Sequence, residues 1–261
     1  MKLMVNHQTH YSYTETVTSS IQYIKMMPSS NVHQQVHSWD VSVPGSRELS
    51  RDAFHNLWIT STQRTPYQYL TIMAQGIVDL NPLNNDQGMN DQINPNLFLQ
   101  PTSTTQCNEE MKDFVKQYVP VPTRLNLIAL AQAVLEHVPY ITNSSSVHGS
   151  SIDAFEAKQG VCQDHAHIFI AMCKYLGLPA RYVSGYLYAQ NTSHLASHAW
   201  AEVFIDQAWY CFDVSNQLFV PSAHIYVAIG RDYWDVAPVR GVREKGGVES
   251  MHSIVQVLSC L

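Results

Sequence analysis

No run of about 20 apolar residues occurs in this 261-residue chain, so nothing in it reads as a membrane-spanning helix. Charge is scarce: only 14% of residues are Asp, Glu, Lys or Arg, and no basic cluster appears. The formal charge of −6 at pH 7 argues against a nucleic-acid or anionic-membrane partner. The five cysteines are odd in number and no two have CxxC spacing, which suggests free thiols in a reducing compartment rather than a disulfide framework. The first residues lack the roughly 7–15 apolar positions of a secretory signal, so a cytoplasmic location is expected. What remains is a 45% hydrophobic chain whose polarity comes largely from Ser, Thr, Asn, Gln and 13 scattered histidines. Its length allows one large domain or two small ones.

Residues 1–97 read as β-structure. Alternation marks Trp39, Val41 and Val43, then Leu70, Ile72, Ala74, Val78 and Leu80, with shorter runs at Tyr11, Tyr13, Leu57 and Ile59. The expected form is a small antiparallel sheet or sandwich. The segment Asn81 to Pro95 reads as a linker. Helical spacing then takes over: Met111, Phe114, Val115 and Tyr118 define one helix, and Thr123 caps a second whose apolar face holds Leu127, Leu130, Ala131, Val134 and Val138. Ser150 with Asp153 caps a short third helix. Strands return at Arg181 to Tyr188, His198 to Ile205, Trp209 to Val214, Ile225 to Ile229 and Ile254 to Leu258. Helices followed by an antiparallel sheet make residues 98–261 an α+β domain.

The stretch Gly160 to Gly177 organises the second half. It places Cys162 at the first turn of an apolar helix, with Ala166, Phe169, Ile170, Cys173 and Leu176 as the expected buried face. A cysteine there sits among unpaired N–H groups at the positive end of the helix dipole, which favours thiolate. Further on, His198, Trp200, Glu202 and Phe204 share one face of a strand, and Ala199, Ala201, Val203 and Ile205 share an apolar one. A two-residue turn at Asp206-Gln207 sets residue 205 opposite 208. Asp213 then becomes the same-face diagonal neighbour of His198, within ~7–8 Å between Cα atoms. A carboxylate so placed can accept an imidazole N–H and fix its tautomer.

Gly-Val-Cys-Gln-Asp-His-Ala-His (160–167), Gly-Leu-Pro-Ala-Arg-Tyr-Val-Ser-Gly-Tyr (177–186), Ser-His-Ala-Trp-Ala-Glu-Val (197–203) and Cys-Phe-Asp-Val-Ser-Asn (211–216) together resemble the bacterial transglutaminase-like superfamily. The run Gly230 to Gly241 resembles the tail of that core. The segments His10 to Tyr13 and Met26 to Pro28 resemble the β-rich domain that often precedes it. The resemblance implies a papain-like core at 98–261 behind a β-sandwich-like domain at 1–97. It also implies Cys162 as nucleophile, His198 as general base then acid, and Asp213 as orienting carboxylate. The thiolate would attack an amide or acyl carbonyl to give a thioester, with the oxyanion held by the Cys162 N–H and a second donor from Gln163 or Tyr140. Trp200, Tyr186, Tyr188 and Trp234 are expected to wall a peptide-sized cleft or to pack in the core. Two positions depart from the family pattern: His165 stands where an aromatic residue is more usual, and Val214-Ser215 replaces Pro-Thr.

The expected reaction is peptide or isopeptide hydrolysis on a peptide or protein substrate. Acyl transfer or ligation by the same triad, and a non-catalytic binding module, are the alternatives. No cofactor is called for. A metal site is disfavoured, because His165 and His167 point to different sides of a helix, and His194 and His198 have helical spacing where the pattern is strand. Asp164 is expected to pair with the free N–H groups of its helix, Glu202 to be solvated, and Arg231 and Asp232 to be structural. Oligomeric state is not legible.

Overall fold

The computed structural model describes residues 1–81, 88–142, 144, 146–189 and 197–260. The expected linker at 81–95 falls partly outside those residues, and His194 wholly so. The protein is α+β, with two antiparallel sheets. The first half supplies β1 (Lys2–Met27), β2 (Gln34–Ser42), β3 (Ser46–Arg51), β4 (Leu57–Gln63) and β5 (Tyr67–Leu80). A 3-10 turn (Pro95–Phe98) leads to helices α1 (Glu109–Tyr118), α2 (Arg124–His137), α3 (Ser151–Ala157) and α4 (Cys162–Tyr175). Strands β6 (Ala180–Leu187), β7 (His198–Ile205), β8 (Ala208–Phe212) and β9 (His224–Gly230) form the second sheet, in the order β8-β7-β6-β9. Helix α5 (Tyr233–Val236) and strands β10 (Val239–Lys245) and β11 (Glu249–Ser259) complete the chain.

Strand β1 is 26 residues long and organises the first sheet. Its inward positions begin Leu3, Val5, His7, Thr9, so polar residues on the buried face hide the alternation from the sequence. Residues 3–13 pair with β5 on one side and β11 on the other, and residues 17–24 pair with β4 and β10. All three rows break at one level: β1 at 13–16, its neighbours at Arg64-Thr65-Pro66 and at Gly246-Gly247. Pro66 cannot donate to a ladder, and the two glycines have φ of 100° and 62°. The sheet turns a corner there. Trp39, two strands from Val5, donates its indole N–H to the Met26 carbonyl at 2.8 Å. An unbent strand would hold Val5 and Met26 ~70 Å apart. The result is a sandwich-like fold made from one bent sheet, with Ile24, Met26, Val41, Ile59, Ile72 and Ala74 in its core.

The sequence groups the last strands with residues 98–261. They hydrogen-bond to β1 instead, because that strand has a second side to fill.

Three layers position the site. Helices cover one face of the second sheet, with the main core between them, and Leu3, Val5, Val78 and Leu80 pack on the other against Tyr186, Ile225 and Val227. Edge strand β9 is closed by side-chain amides from the first sheet's loops. Gln34 exchanges hydrogen bonds with Tyr226 N and O at 2.8 Å each, and Asn56 does the same at Ile229. Strands covered on both faces are buried at nearly every position, as β6 and β7 are. Helix α4 is likewise buried on every side from Asp164 to Lys174, wider than the expected stripe.

Candidate active site

Local chemistry fixes Cys162 at the start of α4. Val161 is the N-cap, and its N–H donates to the Asp164 carboxylate at 2.8 Å, as the sequence suggested for Asp164. Gly160 must be glycine, since a Cβ there would lie 2.8 Å from that of Asp164. The Gly160 N–H donates to Pro139 O, and its carbonyl accepts from Ile141 N at 2.9 Å, which seats Tyr140 beside the cysteine. At the other end Gly177, at φ 76°, closes the helix, and Leu178 N donates to Cys173 O at 3.0 Å.

The β7–β8 hairpin has the expected register. Ile205 faces Ala208 across a two-residue turn, and Asp206 and Gln207 both take positive φ, the geometry that matches strand twist. Asp213, just past β8, accepts a hydrogen bond from His198 Nε2 at 2.7 Å. Cys162 lines the same cleft as His198, close enough for its side chain to act on the imidazole. With Nε2 committed to the carboxylate, Nδ1 is the ring nitrogen left for the sulfur. Burial alone would push the His198 pKa down, but the hydrogen bond to Asp213 and the electrostatic influence of Asp213 and Cys162 raise it from 6.5 to about 10. Burial pushes the Asp213 carboxyl up, yet hydrogen bonds from His198 and His224 hold it well below the usual carboxylate range.

His224 carried no signal in the sequence: it opens an ordinary strand with no partner at a telling spacing. It is fully buried, with Nε2 3.0 Å from Asp213 Oδ2. Burial lowers its pKa, so it stays neutral and donates that N–H. The Asn216 amide donates to the same oxygen at 2.9 Å, and its backbone N–H to Oδ1 at 3.2 Å. Three donors thus converge on Oδ2, and the carboxylate has little freedom to turn.

The two departures from the family pattern touch each other. His165 Nε2–H donates to the Val138 carbonyl at 2.7 Å, and Nδ1 accepts from the Ser215 hydroxyl at 2.8 Å. Burial lowers the His165 pKa and keeps the ring neutral. This polar residue therefore ties the end of α2 to the loop that carries Asp213.

Cys162 and His198 lie in a cleft of about 620 Å³. Its aromatic walls are Tyr140, Tyr182 and Tyr233. The expected wall residues lie elsewhere. Trp200 is 1% exposed and stacks behind the imidazole at 5.9 Å, where it shields the His198–Asp213 bond from water. Gly185 makes room for it, since a Cβ there would meet the indole at 2.8 Å. Tyr186 is buried against His7, and Tyr188 packs on the interface between the sheets. Trp234 packs against His148, outside the described lining. Of the two oxyanion candidates, Gln163 lines the cleft but donates its amide to Val147 O at 3.2 Å. Tyr140 lines it too, and burial followed by the charges of Cys162 and Asp213 raises its pKa, so its hydroxyl stays protonated.

Glu202 is not solvated. It is fully buried on the far face of the sheet, paired with Arg181 at 2.7 Å and accepting from the Tyr226 hydroxyl at 2.8 Å. His198, Asp213 and His224 are the one group of potential metal ligands among the described residues. Both imidazole Nε2 atoms sit at hydrogen-bond distance from a single oxygen, 2.7 and 3.0 Å. Ligands about 2 Å from a zinc ion in tetrahedral geometry would stand farther apart than that. The set fits protons better than a metal. No helix among the described residues is long and apolar enough to cross a membrane.

The model of the transglutaminase-like superfamily matches residues 117–214, which include Cys162, His198 and Asp213. That of the bacterial transglutaminase-like N-terminal region matches residues 3–79. An uncharacterized protein of Mycobacterium leprae is 28% identical over 98% of both chains, and one of Mycobacterium bovis is 29% identical over 91% of this chain and 86% of its own. The crystal structure of a proposed cysteine protease from Cytophaga hutchinsonii shares the fold, with a TM-score of 0.80 and 22% identity, over all of this chain and 91% of that one. The chain belongs to the transglutaminase-like superfamily, with the bacterial N-terminal region in front of the core.

Proposed function

We propose that the protein is a thiol enzyme acting on amide bonds through a thioester, and that its reaction is hydrolysis of a peptide or isopeptide. The observation that carries this reading is that Cys162 and His198 line one cleft while His198 is hydrogen-bonded to the buried Asp213 behind it. The imidazolium and the adjacent sulfur form a pair in which the sulfur is the nucleophile. Attack on the carbonyl places the developing oxyanion near the Cys162 N–H, which is free at the first turn of α4, and the Tyr140 hydroxyl is the second donor we favour. His198 passes its proton to the leaving amine and then takes one from the water that cleaves the thioester. Asp213 holds the ring in the required tautomer throughout, with Asn216 and His224 fixing the carboxylate.

A peptide-library digest with wild type and Cys162→Ala tests the reading. Cleavage by wild type alone supports it, and equal activity in both removes it. Incorporation of an added primary amine into product would reassign the second half-reaction to acyl transfer. A protein that binds peptides without any turnover would be a binding module.

A further inference from the structure

The cleft contains no Asp, Glu, Lys or Arg among its described lining residues. The sequence has none at all from Tyr182 to Ala201 or from Val138 to Ile152, although both stretches contribute to the lining. Apart from Cys162 and His198, the polar groups of the lining are neutral hydroxyls and amides, among them those of Tyr140, Thr142, Tyr182, Ser184 and Asn216. The acids closest to the site are used elsewhere. Asp213 is fully buried behind His198 under three donors, and Asp164, 1% exposed, accepts from Val161 N. The positive charge of His198 lies between the sulfur and the Asp213 carboxylate, so it is already answered on both sides.

A charged side chain entering such a cleft gives up its hydration and meets no counter-charge. A neutral polar chain exchanges water for protein hydroxyls at little cost. On the reading of Cys162 as nucleophile, we propose that the cleft selects uncharged, hydrogen-bonding acyl groups and refuses peptides with an acidic or basic residue at the attacked position. The net charge of −6 makes the direction of the test informative. Long-range attraction alone would favour basic substrates over acidic ones. Desolvation without a partner disfavours both.

The test uses dipeptidyl chloromethyl ketones ending in Asn, Ser, Lys or Glu, with the full chain at high salt to screen long-range attraction. Labelling of Cys162 is followed by mass spectrometry. The Asn and Ser reagents are expected to react about tenfold faster or more than both the Lys and the Glu reagents. In Ser184→Asp the Lys reagent should gain on the Glu reagent by a similar factor. A Lys or Glu reagent as fast as the neutral pair, or a Lys-to-Glu ratio unmoved in Ser184→Asp, overturns the proposal. Iodoacetamide separates this failure from failure of the nucleophile reading. If it labels Cys162 no faster than the other thiols, that reading falls and selectivity falls with it. If it labels Cys162 rapidly while the four peptide reagents behave alike, the selectivity alone is refuted.

Discussion

Acid should unfold this protein well above the carboxylate range, because buried histidines have to be neutral for it to fold, three of them most strongly. His7, His33 and His167 are 3%, 1% and 0% exposed, and burial lowers each pKa from 6.5 to about 4. The contacts explain why. His167 Nε2 accepts the Tyr233 backbone N–H at 3.1 Å, a bond that a proton on that nitrogen would break. His33 donates to His224 O through Nε2, which leaves Nδ1 buried without a partner. His7 is clamped between the Tyr186 hydroxyl and Ser253. A base whose pKa is lower when folded takes up protons on unfolding, so its contribution to stability is lost as pH falls from 6.5 towards 4. At pH 5 each histidine costs about 2 kcal/mol, and the three together about 6 kcal/mol, of the same order as the whole stability of a typical domain. His198 offsets only about 1 kcal/mol of this, gained mostly as pH falls from 7.5 to 6.5, since below that it is protonated in both states, and Asp213 enters only below its unfolded value of 3.8. Urea unfolding at pH 7.5, 6 and 5 should show this loss, with uptake of about 2–3 protons per molecule near pH 5. His33→Gln keeps a donor for the carbonyl and should lose about 2 kcal/mol less over that range. Stability constant to within about 1 kcal/mol from pH 7.5 to 5 would refute the argument.

Three other consequences are open to measurement. Asp213→Asn removes the strongest support for the His198 imidazolium, so an NMR titration should find its pKa at least 2 units lower than in wild type, where it is about 10. The stabilisation that wild type draws from His198, full below 6.5 and lost as pH rises towards 10, should shrink with it; an unchanged titration would contradict the assignment. Arg181→Met leaves Glu202 buried with only the Tyr226 hydroxyl and should cost about 3–5 kcal/mol in urea, much of it recovered in Arg181→Met/Glu202→Gln; no recovery would mean that Arg181 acts through packing on Trp209, 4.0 Å away. His165→Phe and Ser215→Ala should be coupled by about 1 kcal/mol in a double-mutant cycle, and additivity within about 0.3 kcal/mol would show that their hydrogen bond contributes little.

Local signals made the second half of the chain readable. Caps at Thr123 and Ser150, the apolar helix behind Cys162 and the alternation after His198 each point to their element, and the Asp206-Gln207 turn gives the register that sets Asp213 beside His198. Information carried by long-range pairing was not readable. The strand β1 looks polar because His7 and Thr9 face its core, and β10 looks like a tail because its partner lies over 200 residues earlier. Alternation puts Trp200 and Glu202 on the strand face of His198, but their burial comes from Met89 and from neighbouring strands, which alternation does not reveal. His224, Asn216 and Ser215 converge on the candidate site only in three dimensions.

The most direct test of the central claim is to trap the acyl-enzyme. The protein is mixed with an activated acetyl ester near neutral pH, quenched in acid within the first turnover and mapped by peptide mass spectrometry. An acetyl group on Cys162, absent from Cys107, Cys173, Cys211 and Cys260 and lost on longer incubation, is the predicted result. Acetylation spread over the five cysteines without preference, or none at Cys162, would contradict it.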